Sequence, residues 1–328
     1  MINLCIFGAG RIGSVHTRNA HNCPGVQVRY IVDTNAQAAK KLAGEVGAEV
    51  ADLETVLADP QVQGVVIASA THTHADLIIA SATADKHIFC EKPIDLDIAK
   101  VDQCLKVVSE SGVHLMTGFN RRYDKHFERL KRAVTDQSIG KLEMVSITSR
   151  DPSPPPSEYI RVSGGLFRDM MIHDFDMARW LMGEEPNLIY AEASCHVDPE
   201  IARLGDVDTA VVTLKTPSGV LCQIGNSRRA VYGYDQRIEV FGSGGMMKAD
   251  NETPTRVAYY SKEGVTEDNP EHFFMERYAD AYRSEMNHFL TVLRGEASPL
   301  TNGNDGRQAL LLADAALKSL ETGQPVPL

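Results

Sequence analysis

Six residues constrain this chain more than any others. Gly8-Ala9-Gly10-Arg11-Ile12-Gly13 has the spacing G-x-G-x-x-G and follows directly on the apolar run Ile2–Phe7. Alone the spacing is a weak signal. Here it closes a strand-like run and opens a helix-like one, and a second apolar run, Val26–Val32, ends in Asp33, 20 residues after Gly13. That is the dinucleotide-binding βαβ unit in its context. Gly8 permits the tight turn, Gly10 leaves room for a pyrophosphate, and Gly13 lets helix and strand pack closely. Backbone N–H groups around Arg11 and Ile12, at the helix start, suit the phosphates. Asp33 would accept hydrogen bonds from the adenosine ribose and repel a 2′-phosphate. Thr34-Asn35-Ala36 offers no arginine to offset that repulsion. The expected cofactor is therefore NAD rather than NADP. A glycine turn that binds no dinucleotide is the plain alternative.

The next hundred residues keep the rhythm. Ala36–Val46, Asp76–Ala84 and Ile98–Ser109 read as helices, Gly64–Ala70 as a strand buried on both faces, and His87–Cys90 and Val113–Thr117 as further strands. Alternation of this kind predicts a doubly wound parallel sheet, the Rossmann arrangement. After Phe119 the pattern changes. Phe127–Val134 reads as a helix, Leu142–Ser149 as a strand, and the prolines at 152, 154, 155 and 156 as an ordered loop. Leu166–Met182 reads as one helix closed by Gly183, followed by strands joined by turn residues such as Thr216-Pro217-Ser218-Gly219. Serial hairpins predict a mostly antiparallel sheet. Arg277–Leu293 and Gln308–Leu320 read as closing helices. The expected division is 1–119 for the NAD-binding domain and 120–328 for substrate binding and oligomerisation.

Composition narrows the partners. Asp plus Glu number 44 against 33 Lys plus Arg, a net charge of −11. Duplex nucleic acid and anionic membranes call for clustered basic residues, so neither is expected. The six cysteines include no C-x-x-C pair, and no apolar run approaches membrane-spanning length. A reducing, cytoplasmic setting is the expectation.

Three constellations carry chemistry. Glu91-Lys92-Pro93 ends the run His87–Cys90, where ligands of an open α/β sheet lie. An ammonium there can hydrogen-bond a reacting hydroxyl and stabilise a developing alkoxide; a solvated surface lysine is the ordinary alternative. Asp169 and His173 stand four apart on the expected helix and so would share a face. A carboxylate beside an imidazole makes a general base of fixed tautomer. Asp174 and Asp176 complete a run that resembles a metal motif, but no second histidine follows at ligand spacing, and no metal is expected. Around His72-Thr73-His74, Thr71 and His74 are candidates to shape the cofactor pocket or to cap the next helix. Arg121-Arg122 and Tyr232-Gly233-Tyr234-Asp235 are either pocket residues or ordinary surface and core.

Gly8–Gly13, Glu91-Lys92-Pro93, Gly118–Asp124, the run 164–176 ending in His173-Asp174-Phe175-Asp176, and Tyr232–Asp235 occur in this order along one chain. Together they resemble the glucose-fructose oxidoreductase/inositol dehydrogenase (Gfo/Idh/MocA) family over essentially the whole length. The likeness is strongest to its bacterial inositol dehydrogenase branch. The resemblance implies a Rossmann domain followed by an α/β domain with an open sheet, often packed face to face into tetramers. It implies NAD-dependent oxidation of a ring hydroxyl of a cyclic polyol, with myo-inositol foremost. Lys92, Asp169 and His173 become the catalytic trio, with Glu91 beside the cofactor and Arg122, Asp151 and Tyr234 as substrate contacts. Some inositol dehydrogenases carry His-Arg-Asn before the proline loop, whereas this chain has Ser149-Arg150-Asp151. The rival readings are a dehydrogenase of scyllo-inositol or another sugar, an NAD-retaining glycosidase, and a non-catalytic dinucleotide sensor.

Overall fold

A computed structural model describes residues Met1–Leu328. The chain divides into two compact units, one formed by Met1–Tyr123 with Asp280–Leu310, the other by Asp124–Ala279 with Leu311–Leu328.

In the first unit the order is β1 (Ile2–Phe7), α1 (Arg11–His21), β2 (Val26–Val32), α2 (Ala36–Val46), β3 (Glu49–Val50), α3 (Leu53–Ala58), β4 (Gly64–Ile67), α4 (His74–Thr83), β5 (His87–Glu91), α5 (Ile98–Ser111) and β6 (Leu115–Gly118). The strands lie side by side as β3-β2-β1-β4-β5-β6, and every pairing is parallel. Successive strands step outward from β1 in one direction and then, from β4, in the other. The carboxyl ends of β1 and β4 therefore form the switch point at which such sheets bind ligands. All four residues of β4 are buried, as a strand covered on both faces requires.

The second unit continues with α6 (Lys125–Thr135), β7 (Leu142–Arg150), α7 (Ser157–Ser163), α8 (Gly165–Asp169), α9 (Ile172–Met182), β8 (Leu188–Ser194), α10 (Pro199–Arg203), β9 (Thr209–Lys215), β10 (Leu221–Ser227), β11 (Asp235–Gly242), β12 (Gly245–Ala249), β13 (Ala258–Ser261), β14 (Gly264–Glu267) and α11 (Phe274–Arg277). Then come α12 (Ala279–Leu293), α13 (Gly303–Thr322) and β15 (Val326–Pro327). The large sheet runs β12-β11-β7-β10-β9-β8-β15 and is antiparallel except where β7 meets β10. Alternate residues point inward: Ala210, Val212 and Leu214 of β9 are buried, while Val211, Thr213 and Lys215 are exposed. α6 and α9 pack on this sheet, contributing the buried Phe127, Leu130, Phe175 and Leu181. On the other face Met144 is exposed, with Leu221 and Phe241, also exposed, as its partners in register on either side.

Two differences from the sequence reading bear on function. The expected helix Leu166–Met182 is broken: α8 ends at Asp169 and α9 begins at Ile172. The Leu166 carbonyl accepts both the Met170 and the Met171 N–H, at 3.0 and 2.9 Å, so the turn widens by a residue. Asp169 and His173 thus belong to two helices, and helical i,i+4 spacing does not relate them. Second, Asp280–Leu310 packs with the N-terminal unit, where a single cut at 119 assigns it to the other. Met286, Phe289 and Leu290 of α12 join α1 and α2 over Leu4, Ile6, Val66, Phe89 and Met116, supplying cover that this sheet face needs.

Candidate active site

The glycine loop is built against the ends of β1 and β4. Gly8 has φ +103°, and a Cβ on it would stand 2.5 Å from the Ala68 carbonyl oxygen. A Cβ on Gly13 would stand 1.9 Å from the Gly8 carbonyl oxygen. Gly10 is different. Nothing lies within 4 Å of its Cβ position, so its lack of a side chain keeps space open instead of avoiding a clash. Gly10 is also the N-cap of α1 and provides no side-chain cap, so the positive end of the helix is left for an anion. Asp33 is fixed by the same loop: its Oδ2 accepts the Ala9 N–H at 2.6 Å and its Oδ1 the Asn35 N–H at 2.7 Å. A carboxylate offers about four acceptor positions, so two remain for a ribose diol. Open space at Gly10, an uncapped helix start and an anchored acidic acceptor fit NAD. Arg11 is exposed and Ile12 half-buried at that helix start.

The neighbouring loops are tied together from inside. Thr71 opens a single 3₁₀ turn, Thr71–Thr73. His74 is only 1% exposed, with Nδ1 2.8 Å from the Pro93 carbonyl and Nε2 3.1 Å from that of Ser69. It joins the loop after β4 to the Lys92-Pro93 segment, whose peptide bond is cis, and does so as an interior clamp rather than a pocket wall. Burial lowers its pKa, opposed by those two carbonyls. Lys92 is half-buried just beyond β5. Glu91 turns inward, its Oε1 2.6 Å from Nε2 of the fully buried His16 on α1. Gly118 makes room for it: a Cβ there would be 2.8 Å from Glu91 Oε2. A third ionisable group shares this interior. Glu285 of α12 is fully buried and neither carboxylate oxygen has a hydrogen-bond partner. Burial and the Glu91 charge hold its pKa well above the carboxylate range.

In the second unit, the expected site residue Asp151 lies where the parallel strands β7 and β10 end. The Asp151 N–H donates to the Ser227 carbonyl at 2.9 Å, joining the two ends. Asp169, half-buried at the close of α8, accepts the Tyr159 hydroxyl at 2.8 Å, and its Oδ2 lies 3.5 Å from Arg228 Nη1. Partial burial and the Asp169 charge push the Tyr159 phenol above its usual range. His173 is half-buried in the first turn of α9. Asp174 is fully buried and accepts from Asn226 Nδ2 at 2.8 Å, so it serves the core.

The other expected substrate contacts are interior. Arg122 is 6% exposed, its guanidinium 2.9 Å from Asp305 and 3.2 Å from the Leu300 carbonyl, within the first unit. Tyr234 is 5% exposed, edge-on to Tyr278 at 6.0 Å. Sequence reasoning missed Tyr159, Arg228, His16 and Glu285. Only His16 had a local signal, three residues beyond Gly13 on the face of α1 that turns inward.

Comparison with known proteins matches residues 2–119 to an oxidoreductase family with an NAD-binding Rossmann fold and residues 127–248 to the GFO/IDH/MocA C-terminal domain. The chain belongs to the GFO/IDH/MocA oxidoreductase family. Among its relatives is a myo-inositol 2-dehydrogenase of Thermotoga maritima, 47% identical over 98% of this chain and 97% of the relative. An inositol 2-dehydrogenase of Rhizobium meliloti is 48% identical over 96% of each chain. The crystal structure of a myo-inositol dehydrogenase from Corynebacterium glutamicum superposes with a TM-score of 0.96 at 42% identity, covering 100% of this chain and 99% of that one. As a GFO/IDH/MocA member the chain is an NAD-dependent oxidoreductase, and its fold is the one the family resemblance implied.

Proposed function

We propose that this enzyme oxidises one ring hydroxyl of myo-inositol to the ketone. The reading is carried by near-full-length similarity to relatives named for that reaction, spanning both units. The residues supply the groups it needs. When bound, NAD supplies the hydride acceptor, C4 of its nicotinamide. Gly8, Gly10, Arg11, Ile12 and Gly13 receive the pyrophosphate, and Asp33 holds the adenosine ribose. A ring nitrogen of His173 takes the hydroxyl proton as the carbon gives up its hydride, and Asp169 stabilises the imidazolium that results. The Lys92 ammonium donates a hydrogen bond to the same oxygen and lowers the energy of the developing alkoxide. Asp151 is the candidate acceptor for a second ring hydroxyl. Thr71, His74 and Glu91 act by holding the cofactor-side loops, and Arg122 and Tyr234 by supporting the walls from inside.

We further propose a homo-oligomer, a tetramer by family precedent, with the sheet face bearing Met144, Leu221 and Phe241 covered by another copy. A monomer by light scattering at micromolar concentration would count against it. A cytoplasmic location suits the six free cysteines.

The test is a panel of myo-, scyllo- and chiro-inositol, glucose and aryl glycosides, each with NAD and NADP, following absorbance of the reduced cofactor. Turnover highest with myo-inositol and NAD is expected. Glycoside hydrolysis with no net reduced cofactor, or no turnover of any inositol, would overturn the reading.

A further inference from the structure

The largest fully buried side chain of the molecule is charged. Arg228 is 1% exposed, and its backbone N–H is pinned to the Asp208 carbonyl at 2.8 Å, directly beyond β10. Its guanidinium lies between two carboxylates from different segments, with Nη1 3.5 Å from Asp169 Oδ2 and Nη2 3.5 Å from Asp206 Oδ2. Both distances are ion pairs rather than closed hydrogen bonds, and Nε and Nη2 have no hydrogen-bond partner. The cation therefore acts here chiefly through its charge. In a buried setting that charge is felt strongly by its neighbours.

Those neighbours come from several elements. Asp206 also accepts the Leu166 N–H at 2.9 Å, fixing the start of the short helix that ends in Asp169. Tyr159 of α7 donates to the other oxygen of Asp169. Asp151, beyond β7, and Arg228 both act electrostatically on that phenol, one raising and one lowering its pKa. His173 opens the next helix. Among Arg228, Asp169 and Asp206 the charges sum to one excess negative, which a single imidazolium would balance.

We infer that Arg228 is a positioning residue of the proton-transfer machinery: its buried cation, set between Asp169 and Asp206, holds Asp169 in place and limits how strongly that carboxylate favours the protonated imidazole of His173. The inference rests on the reading of His173 as the base. On that reading, Asp169 without the cation would act on the imidazole unopposed, and His173 would keep its proton to higher pH. Without Asp206 the opposite holds, because more of the Arg228 charge is left to oppose the imidazolium.

The test compares kcat/KM against pH for wild type, Arg228→Met, Arg228→Lys and Asp206→Asn, with His173→Ala as reference. The acid limb should move up by about one pH unit in Arg228→Met, return toward wild type in Arg228→Lys, and move down in Asp206→Asn. A merely structural arginine would lower the plateau and leave the limb in place. An unmoved limb in Arg228→Met, or an unmoved or upward limb in Asp206→Asn, overturns the inference while the reading of His173 stands. Should Arg228→Met not fold, the direction in Asp206→Asn decides alone. An acid limb that survives unchanged in His173→Ala overturns the reading of His173 and this inference with it.

Discussion

The buried carboxyl of Glu285 allows a quantitative test of how this interior is charged. Its two oxygens lack partners, and burial together with Glu91 holds its pKa well above the ordinary value. The folded state therefore keeps a proton that the unfolded chain releases near pH 4.3. Above that pH the unfolded state binds fewer protons than the folded one, so stability falls as pH rises, until the folded group itself ionises. For one proton the slope is about 1.4 kcal/mol per pH unit. Glu285→Gln keeps the size and neutrality of the protonated acid and removes the linkage. Urea unfolding of both proteins, with ΔG extrapolated to water at half-unit steps, isolates this one proton in the difference curve. Over any two pH units in which the folded group stays protonated, wild type should lose about 2.7 kcal/mol relative to the variant. The pH at which the difference curve flattens reports the folded pKa. A difference curve that is flat from pH 5 upward would mean that Glu285 ionises normally, and the account of a neutral acid beside the His16–Glu91 pair would be wrong.

Gly10→Ala and Gly13→Ala should part company. The first places a methyl group in open space and should weaken NAD binding by calorimetry while lowering stability by only about 1 kcal/mol, the loss of a good N-cap residue. The second meets the Gly8 carbonyl oxygen at 1.9 Å and should destabilise by roughly 3 kcal/mol or more in thermal unfolding. Equal NAD affinity in Gly10→Ala would show that the pyrophosphate lies elsewhere. Asp33→Ala combined with Thr34→Arg should move the preference measured by kcat/KM toward NADP, and a wild type already faster with NADP at low concentration would contradict the role of Asp33. His173→Ala should lower kcat by about 10²–10⁴-fold with NAD affinity little changed. A variant within a few-fold of wild type would make Lys92 the leading base.

The Rossmann half was legible because its signals are local. Ile2–Phe7, Gly64–Ile67 and His87–Glu91 are short apolar runs with punctuating glycines or helix caps, and a parallel sheet buried on both faces needs little else. The second half hid more. The strand Leu188–Ser194 and the short helices α7 and α10 escaped notice, and serial hairpins gave no hint that β7 and β10 would pair in parallel. The break between Asp169 and Ile172 was invisible because Met170 and Met171 are good helix formers. The start of α8 is likewise held from 40 residues away, where Asp206 accepts the Leu166 N–H. Motif residues were found, but their holders were not. Arg228 is 59 residues from Asp169 in sequence, and Glu285 is nearly two hundred from Glu91; nothing in either local pattern marks the connection.

The return of Asp280–Leu310 to the N-terminal unit has a consequence for how the protein is made. On the ribosome, strands β1 to β6 emerge first, and Leu4, Ile6, Val66, Phe89 and Met116 then wait for the part of their cover that lies in α12. At 5–20 residues per second that interval lasts roughly 10–30 s. During it the nascent chain presents an apolar sheet face, a surface that chaperones hold and proteases find. A fragment ending at Tyr123 would carry that exposure permanently. A cofactor-binding module grafted from this protein into another therefore has to take residues 280–310 along with the first 123.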